Sequence, residues 1–441
     1  MDYHFYYHTM ADGTVKQVNP FSGVEVWSVP GRGNKPLSES LKGYAPAPVE
    51  KQEPEAYCAF CVGRMYETAP EKARVISDGG VFTTLTRIPP STYHETTPLF
   101  RRVPNLFEIL SVNYWRQNYS YKISARNLQW KEDYLSDPVG LNHVMDILDY
   151  KLRRSGKSDE EIAQISMEEK FLMADAFFGG GHEMVVVQPH YRKDARDARD
   201  LFSTSDLTEE EHYRYYAFII DAMADIAANN RYVRSLSVFK NWLPPAGATF
   251  DHLHTQIVAI DEWGEAMERK IKMVVQDKNV YNSYGPNFAG HQNLVFAEND
   301  YALAYVGVGH RFPTVEIFSK SVNARPADHQ EDEIRGMSDL VRAIHAAVGG
   351  HISVNEEWHH TPIDSIFKIP WHVFVKLRIN TPAGFEGGTN IFINPLTPTD
   401  LRDKLVPRMY TLRAEGRIAT SIRIAEECKL VPNPLQYYKT T

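Results

Sequence analysis

The chain of 441 residues has only three cysteines and no apolar run of the ~18–20 residues that a bilayer span requires. Three thiols exclude a disulfide framework, and the missing apolar runs exclude a helical membrane protein. Charge of one sign is also scarce: 48 Lys and Arg against 56 Asp and Glu leave −8. That balance excludes a broad basic groove for nucleic acid or a polybasic membrane surface, and leaves room for a local basic pocket that takes a small anionic metabolite. Gly179, Gly180 and Gly181 are followed by no Gly-Lys-Ser/Thr, which excludes a Walker phosphate loop. Residues 1–10 are polar and aromatic, without the apolar centre of a secretory signal, so the expectation is a soluble cytoplasmic protein. Hydrophobic residues at 43% and aromatics at 12% are ample for a core, and the length allows two or three domains.

Two of the cysteines stand as Cys58-Ala-Phe-Cys61, a spacing that suits a metal, a thiol redox pair, or simply a buried apolar pair; Cys428 lies far away among charges. The first 56 residues are rich in Gly, Pro and polar residues, with one strand expected over 24–29. Residues 138–178 carry helical periodicity and many charges, and read as an insertion covering the main sheet. Beyond it a repeat emerges. A strand over 183–188, a helix over 208–229 and strands over 235–241 and 254–260 form one unit. About 115–130 residues later the order returns as a strand over 314–320, a helix over 331–348 and strands over 351–356 and 372–379. Strand, helix, strand, strand, twice over, predicts an α+β fold of two related halves on antiparallel sheets, divided at 1–265 and 266–441.

The richest segment runs from Asn241 to Gln256 and contains Pro244-Pro-Ala-Gly-Ala-Thr249 and His252-Leu-His254-Thr-Gln256. Residues i, i+2 and i+4 of a strand share a face, so His252, His254 and Gln256 align if the strand includes His252. A histidine that attacks phosphorus must be neutral at the attacking nitrogen, with the other nitrogen's proton held, often by a backbone carbonyl. Gly247, Ala248 and Thr249 offer amide N–H groups and a hydroxyl to a phosphate, and Gln256 offers a donor to a phosphoryl oxygen that gains charge. His-x-His alone is a weak signal, equally met by structural or solvated histidines; the turn and Gln256 strengthen it. The aromatic stretch 114–121 reads as packing, and the acidic triplets at 159–161 and 209–211 as solvated first turns of helices.

Asn241, Gly247, Thr249, His252-Leu-His254 and Gln256, with Cys58 and Cys61 upstream, resemble the galactose-1-phosphate uridylyltransferase branch of the histidine-triad (HIT) superfamily. Looser matches are residues 19–36, Arg102-Val-Pro-Asn-Leu-Phe107, residues 181–189, Trp358-His359, Trp371-His372 and Ala383-Gly-Phe-Glu386; the likeness spares about 110–178. The resemblance implies two HIT-like repeats with antiparallel sheets flanked by helices plus a helical insertion. It further implies ping-pong nucleotidyl transfer through a covalent nucleotidyl-His254, with UMP passing between a UDP-sugar and a hexose 1-phosphate. Gln256 then favours transfer over hydrolysis. The same likeness gives phosphate contacts to Asn241, Gly247, Ala248 and Thr249, base and ribose contacts to Asn105 and Phe107, sugar contacts to Phe385 and Glu386, and local positive charge to Arg32 and Lys35. It also implies a homodimer and a structural Zn2+ on Cys58, Cys61 and His252, with His190 or His182 as fourth ligand. A second metal site on His359 and His372 is altered, because Pro370 supplies no ligand. Two other readings stay open: an ADP-sugar or dinucleoside polyphosphate phosphorylase or adenylyltransferase, and a non-catalytic nucleotide-binding protein.

Overall fold

The computed structural model describes residues 3–32 and 47–439, so Lys35 lies outside the described residues. The N-terminal arm forms β1 (Tyr7–Thr9), β2 (Val15–Val18) and β3 (Glu25–Ser28). Next come β4 (Ala73–Asp78), β5 (Val81–Thr86) and β6 (Phe100–Pro104). Five helices follow, α1 (Val112–Tyr119), α2 (Ala125–Ser136), α3 (Pro138–Arg154), α4 (Asp159–Ala163) and α5 (Met167–Gly179), so the helical insertion begins earlier than periodicity alone indicates. The first repeat unit is β7 (His182–Val187), α6 (Glu209–Asn229), β8 (Ser235–Trp242) and β9 (His254–Ile260). Helices α7 (Glu265–Gln276), α8 (Val280–Tyr284) and α9 (Pro286–His291) lead to β10 (Val295–Glu298) and β11 (Ala302–Val306). The second unit is β12 (Thr314–Ser319), α10 (Glu331–Val348), β13 (Val354–His359) and β14 (His372–Leu377). The chain closes with α11 (Gly384–Thr389), β15 (Ile391–Ile393), α12 (Pro398–Ala414) and β16 (Arg423–Ile424).

Twelve strands make one sheet in the order β16-β10-β11-β12-β14-β13-β8-β9-β7-β6-β4-β5, and every pairing in it is antiparallel. A separate small sheet joins the arm to the far end of the chain, because β15 runs parallel to β3. Side chains alternate across a strand, so each strand of the large sheet sends one set to each face. Val185, Val187, Ile257, Ala259, Val238, Val354, Val373 and Val375 turn one way and meet Tyr216, Ile219 and Met223 of α6 and Leu340, Val341 and Ile344 of α10 in a single core. Both helices begin where the sequence places them, since each carries a capping box: Glu211 N donates to Thr208 Oγ1 at 3.2 Å while Glu211 returns to Thr208 N, and Glu333 likewise accepts from Gln330 N at 2.9 Å.

The two units are related by a pseudo-twofold axis. Phe239 pairs with Gln256 and Glu357 with Phe374, each partner displaced by the same 118 positions (239 to 357, 256 to 374), and Phe239 pairs across β8 and β13 with Glu357 itself. Two expectations need correction. The strand expected over 351–356 lies at Val354–His359, because Gly349, at φ +96°, ends α10 and His351 and Ile352 are spent in the turn. The strand β9 starts at His254 and omits His252: the ladder ends where Val187 N donates to Leu253 O, and Pro189 beyond has no N–H to extend it.

Candidate active site and metal centre

On the face away from α6 and α10, β7 and β9 place Val186 opposite His254 and Met184 opposite Gln256. Phe250 stacks on the His254 ring at 4.1 Å between centroids, and Phe60 stacks on Phe250 at 4.3 Å. Val103, Met184 and Val186 complete the apolar floor. His254 is buried, and its Nδ1 lies 2.8 Å from the carbonyl oxygen of His252. A carbonyl only accepts, so Nδ1 carries the proton and Nε2 keeps its lone pair. Burial pushes the imidazole down to about 4, which keeps it neutral at physiological pH.

Gln256 is held by a residue whose role the sequence did not reveal. Ile109 N donates to Nδ1 of His182 at 3.2 Å, so the His182 proton sits on Nε2 and is given to Gln256 Oε1 at 3.0 Å. Asn105 Nδ2 reaches the same oxygen at 3.4 Å, while Asn105 Oδ1 accepts from Phe107 N at 2.9 Å. With its oxygen occupied, Gln256 has its amide hydrogens to offer elsewhere. His182 is therefore not a metal ligand, contrary to one of the two alternatives for the fourth ligand; the register of β7 puts it opposite Val258, well along the strand from the thiols. The only advance signal was its parity with Met184 and Val186.

Asn241 lies near the end of β8, where Asn355 Nδ2 donates to Asn241 Oδ1 at 2.7 Å and to Ala246 O at 2.8 Å. The Asn241 amide thus has its N–H groups to give, and the following turn runs past it. Leu243, at φ +68°, and Gly247, at φ +87°, bracket that turn, and left-handed backbone at a non-glycine residue is a strained conformation of the kind that collects at functional sites. Gly247 and Thr249 are exposed and Ala248 is half-buried. Arg32, Phe385 and Glu386 are not part of this group. Glu386 accepts from Ala383 N at 2.8 Å at the start of α11, with Arg32 close enough to lower its pKa, and Phe385, 47% exposed, lies 6.4 Å from Trp27 of β3. Their small sheet docks on the turn between β11 and β12, where Asn19 Nδ2 donates to Val308 O at 2.8 Å and Asn394 Nδ2 to His310 O at 2.9 Å. Between β12 and β9 stand three other strands.

Beyond the end of β9, Cys58, Cys61, His190 and His252 bring their ligand atoms within 4.8 Å of one another. Cys58 Sγ to Cys61 Sγ is 3.8 Å, Cys58 Sγ to His252 Nδ1 3.3 Å and Cys61 Sγ to His190 Nδ1 3.4 Å. Tetrahedral zinc has edges of about 3.8 Å between sulfurs and about 3.6 Å between sulfur and nitrogen, so the donor set fits such an ion. The outer nitrogen of His252 is held too, Nε2 lying 2.6 Å from Val187 O, while His190 Nε2 faces the Asp251 carboxylate at 3.3 Å. Cys61 is held down by its contact with Cys58 and then by the two imidazoles. Burial opposes charge on His190, but Asp251 and Cys61 outweigh it and push His190 up to about 9. His190 is the fourth member of the set; it stands three residues past the end of β7, and its backbone N–H is fixed by Glu55 at 2.9 Å.

The pseudo-twofold mate of His254 is His372, whose Nδ1 lies 2.7 Å from Pro370 O just as His254 Nδ1 meets His252 O. There the likeness ends. Pro370 stands where His252 would supply a ligand, and the His372 ring is stacked against Phe318 at 4.4 Å and His359 at 4.9 Å. Among the described residues, only the Cys58 group gathers a metal-grade donor set.

This arrangement, two strand-helix-strand-strand units on one antiparallel sheet with a histidine at the head of an inner strand, is a fold shared with known structures. An ADP-glucose phosphorylase from Arabidopsis thaliana, solved with bound ADP-glucose, superposes with a TM-score of 0.55 over 90% of this chain and 97% of its own, at 17% identity. A galt-like protein from Arabidopsis thaliana matches with a TM-score of 0.53 over 90% of this chain and 98% of its own, at 16% identity. By sequence, no curated protein matches. The chain belongs to the family described as domain of unknown function DUF4921, whose model covers residues 10–437.

Proposed function

We propose that the protein is a nucleotidyltransferase that works by ping-pong on a nucleotide sugar and a sugar 1-phosphate. The observation that carries this reading is the His254 imidazole, neutral and pinned at Nδ1 by the His252 carbonyl, beside a Gln256 whose oxygen is already occupied. His254 Nε2 attacks the α-phosphorus, the bond from that phosphorus to the bridging oxygen breaks, and the sugar 1-phosphate leaves with the electron pair. A phosphate oxygen of the second substrate then attacks the nucleotidyl-histidine and returns Nε2 to its starting state. The Gln256 amide donates to the non-bridging oxygen that gains charge, while Asn241 and the 247–249 turn hold the neighbouring phosphates. Gln256 brings no acidic proton to a leaving group, which suits transfer rather than hydrolysis.

Uridylyl transfer between hexose 1-phosphates is the first assignment, with Asn105 and Phe107 at the base and ribose. Phosphorolysis of an ADP-sugar is the second reading, favoured by the fold shared with the ADP-glucose phosphorylase along 97% of that chain. Cys58, Cys61, His190 and His252 would hold Zn2+, which would supply a fixed point for the approach to β9 that carries His252 and so for the carbonyl that orients His254. Arg32, Phe385 and Glu386, set apart from His254 within one chain, reach a site through a homodimer in which the partner supplies them.

Mixing the protein with UDP-glucose, ADP-glucose and GDP-mannose in turn, followed by intact-mass spectrometry, tests the reading. A single nucleotidyl adduct is expected, lost in His254→Asn and retained in Thr249→Ala at saturating donor; the donor that labels names the base. No adduct with any donor would sink the covalent mechanism.

A further inference from the structure

The opposite side of the sheet edge holds a cavity of about 180 Å³ between β5, α2 and α6. Its floor is a closed ionic network: Lys72 Nζ lies 2.5 Å from Glu183, Arg102 also binds Glu183, and Arg102 Nη2 lies 2.7 Å from Asp225. Two cations there meet two anions and the charges cancel. The rim adds Arg87 and Arg126, neither in an ion pair among the described residues, against the single exposed carboxylate of Asp221, which leaves one net positive charge. The cavity also faces the first turn of α2, a helix of 12 residues capped by Ser124, with no acidic side chain in that turn. A further, independent observation comes from Trp130, which lines the cavity at 5% exposure and whose buried indole N–H has no acceptor. A buried donor without a partner costs free energy, and an oxygen of a bound ligand would satisfy it.

We propose that this cavity is a binding site for a small oxyanion, the phosphoryl group of a phosphorylated metabolite or inorganic phosphate itself, held by Arg126 and Arg87 and by the indole N–H of Trp130. The volume is enough for a phosphoryl group with a short organic portion. The site is separate from His254: Arg102 pairs with Val185, whose side chain faces the helices, whereas Gln256 pairs with Met184 on the other face. It therefore stands or falls independently of the proposed transfer reaction.

Isothermal titration of the metal-loaded protein with inorganic phosphate, and separately with glycerol 3-phosphate, at low ionic strength tests the assignment. The wild type is expected to show, besides any binding at the His254 site, a site whose affinity drops at least tenfold in Arg126→Glu and several-fold in Trp130→Phe, which removes the N–H and keeps the ring. Thr249→Ala, on the opposite face, leaves that site unchanged, and adduct formation without phosphate is the same in Arg126→Glu as in wild type. Tighter binding of glycerol 3-phosphate assigns the site to an organic phosphate, and tighter binding of phosphate to the free ion. Arg126 is exposed and makes no hydrogen bond that the fold needs, so the variant folds; unchanged binding of both probes in Arg126→Glu and Trp130→Phe would overturn the proposal.

Discussion

At Gln256 the side-chain oxygen takes donors from His182 and Asn105, and this fixes where the amide hydrogens point. Replacing His182 with Phe keeps the bulk and frees that oxygen. The expected result is a kcat about 10–100-fold lower with KM little changed, since a misaimed donor acts on the transition state more than on binding. An unchanged kcat would show that Gln256 needs no such support. His254 makes a second expectation at this scale. Its folded pKa is about 4 against an ordinary value of 6.5. Above pH 6.5 both folded and unfolded states are neutral there. Between 6.5 and 4 the unfolded chain takes up a proton that the folded imidazole refuses, so stability falls as pH falls, by up to about 3 kcal/mol from this group. Catalysis follows the folded value: kcat/KM should stay level from pH 7.5 down to about 5.5, and an acid limb near 6.5 would contradict a neutral, desolvated nucleophile.

Among the elements, β9 is legible from its alternation and α6 and α10 from their apolar stripes, because these signals are local. The strands β4, β5, β6, β10 and β11 escaped, as did β1 and β2 of the arm. Several are only three to five residues long, and β4 and β6 carry Arg74, Arg101 and Arg102 at buried positions, which hides them from a hydrophobic pattern. Arg74 and Arg101 are buried because both reach Glu71, a partner that the sequence cannot pair with them. The metal group is likewise a meeting of elements: a loop at Cys58 and Cys61, the turn after β7 that carries His190, and the approach to β9. Elemental analysis of protein never exposed to chelator should find about one zinc per chain. Its removal, or Cys61→Ser, should lower the melting temperature by roughly 5 °C or more, since the ion ties three separate segments. A metal content far below one equivalent, or a melting point indifferent to chelator, would count against the site.

Over the whole molecule the pseudo-twofold axis gives two copies of one scaffold, yet among the described residues only one copy has thiols behind its histidine. The mate, His372, is enclosed by Phe318, His359 and Tyr281. The arm sheet with Arg32, Phe385 and Glu386 is docked on the second half, several strands from His254. Coexpression of His254→Asn with Glu386→Ala tests whether a partner chain supplies that group. Each variant alone should be inactive, and mixed dimers should regain up to about one quarter of wild-type activity, because half of the molecules would hold one intact site of two. No recovery, or a monomer by light scattering, would remove the partner from the site.

The sequence by itself determined the antiparallel α+β class, the repeat, and the candidate nucleophile at His254, since periodicity and short-range motifs are written in consecutive residues. Only the tertiary structure decided that His190 and not His182 joins the thiols, that His182 and Asn105 hold Gln256, and that the His252 carbonyl fixes the His254 proton. Each of those choices depends on where a strand ends and which way a ring turns, and such geometry is set by partners far away in the chain.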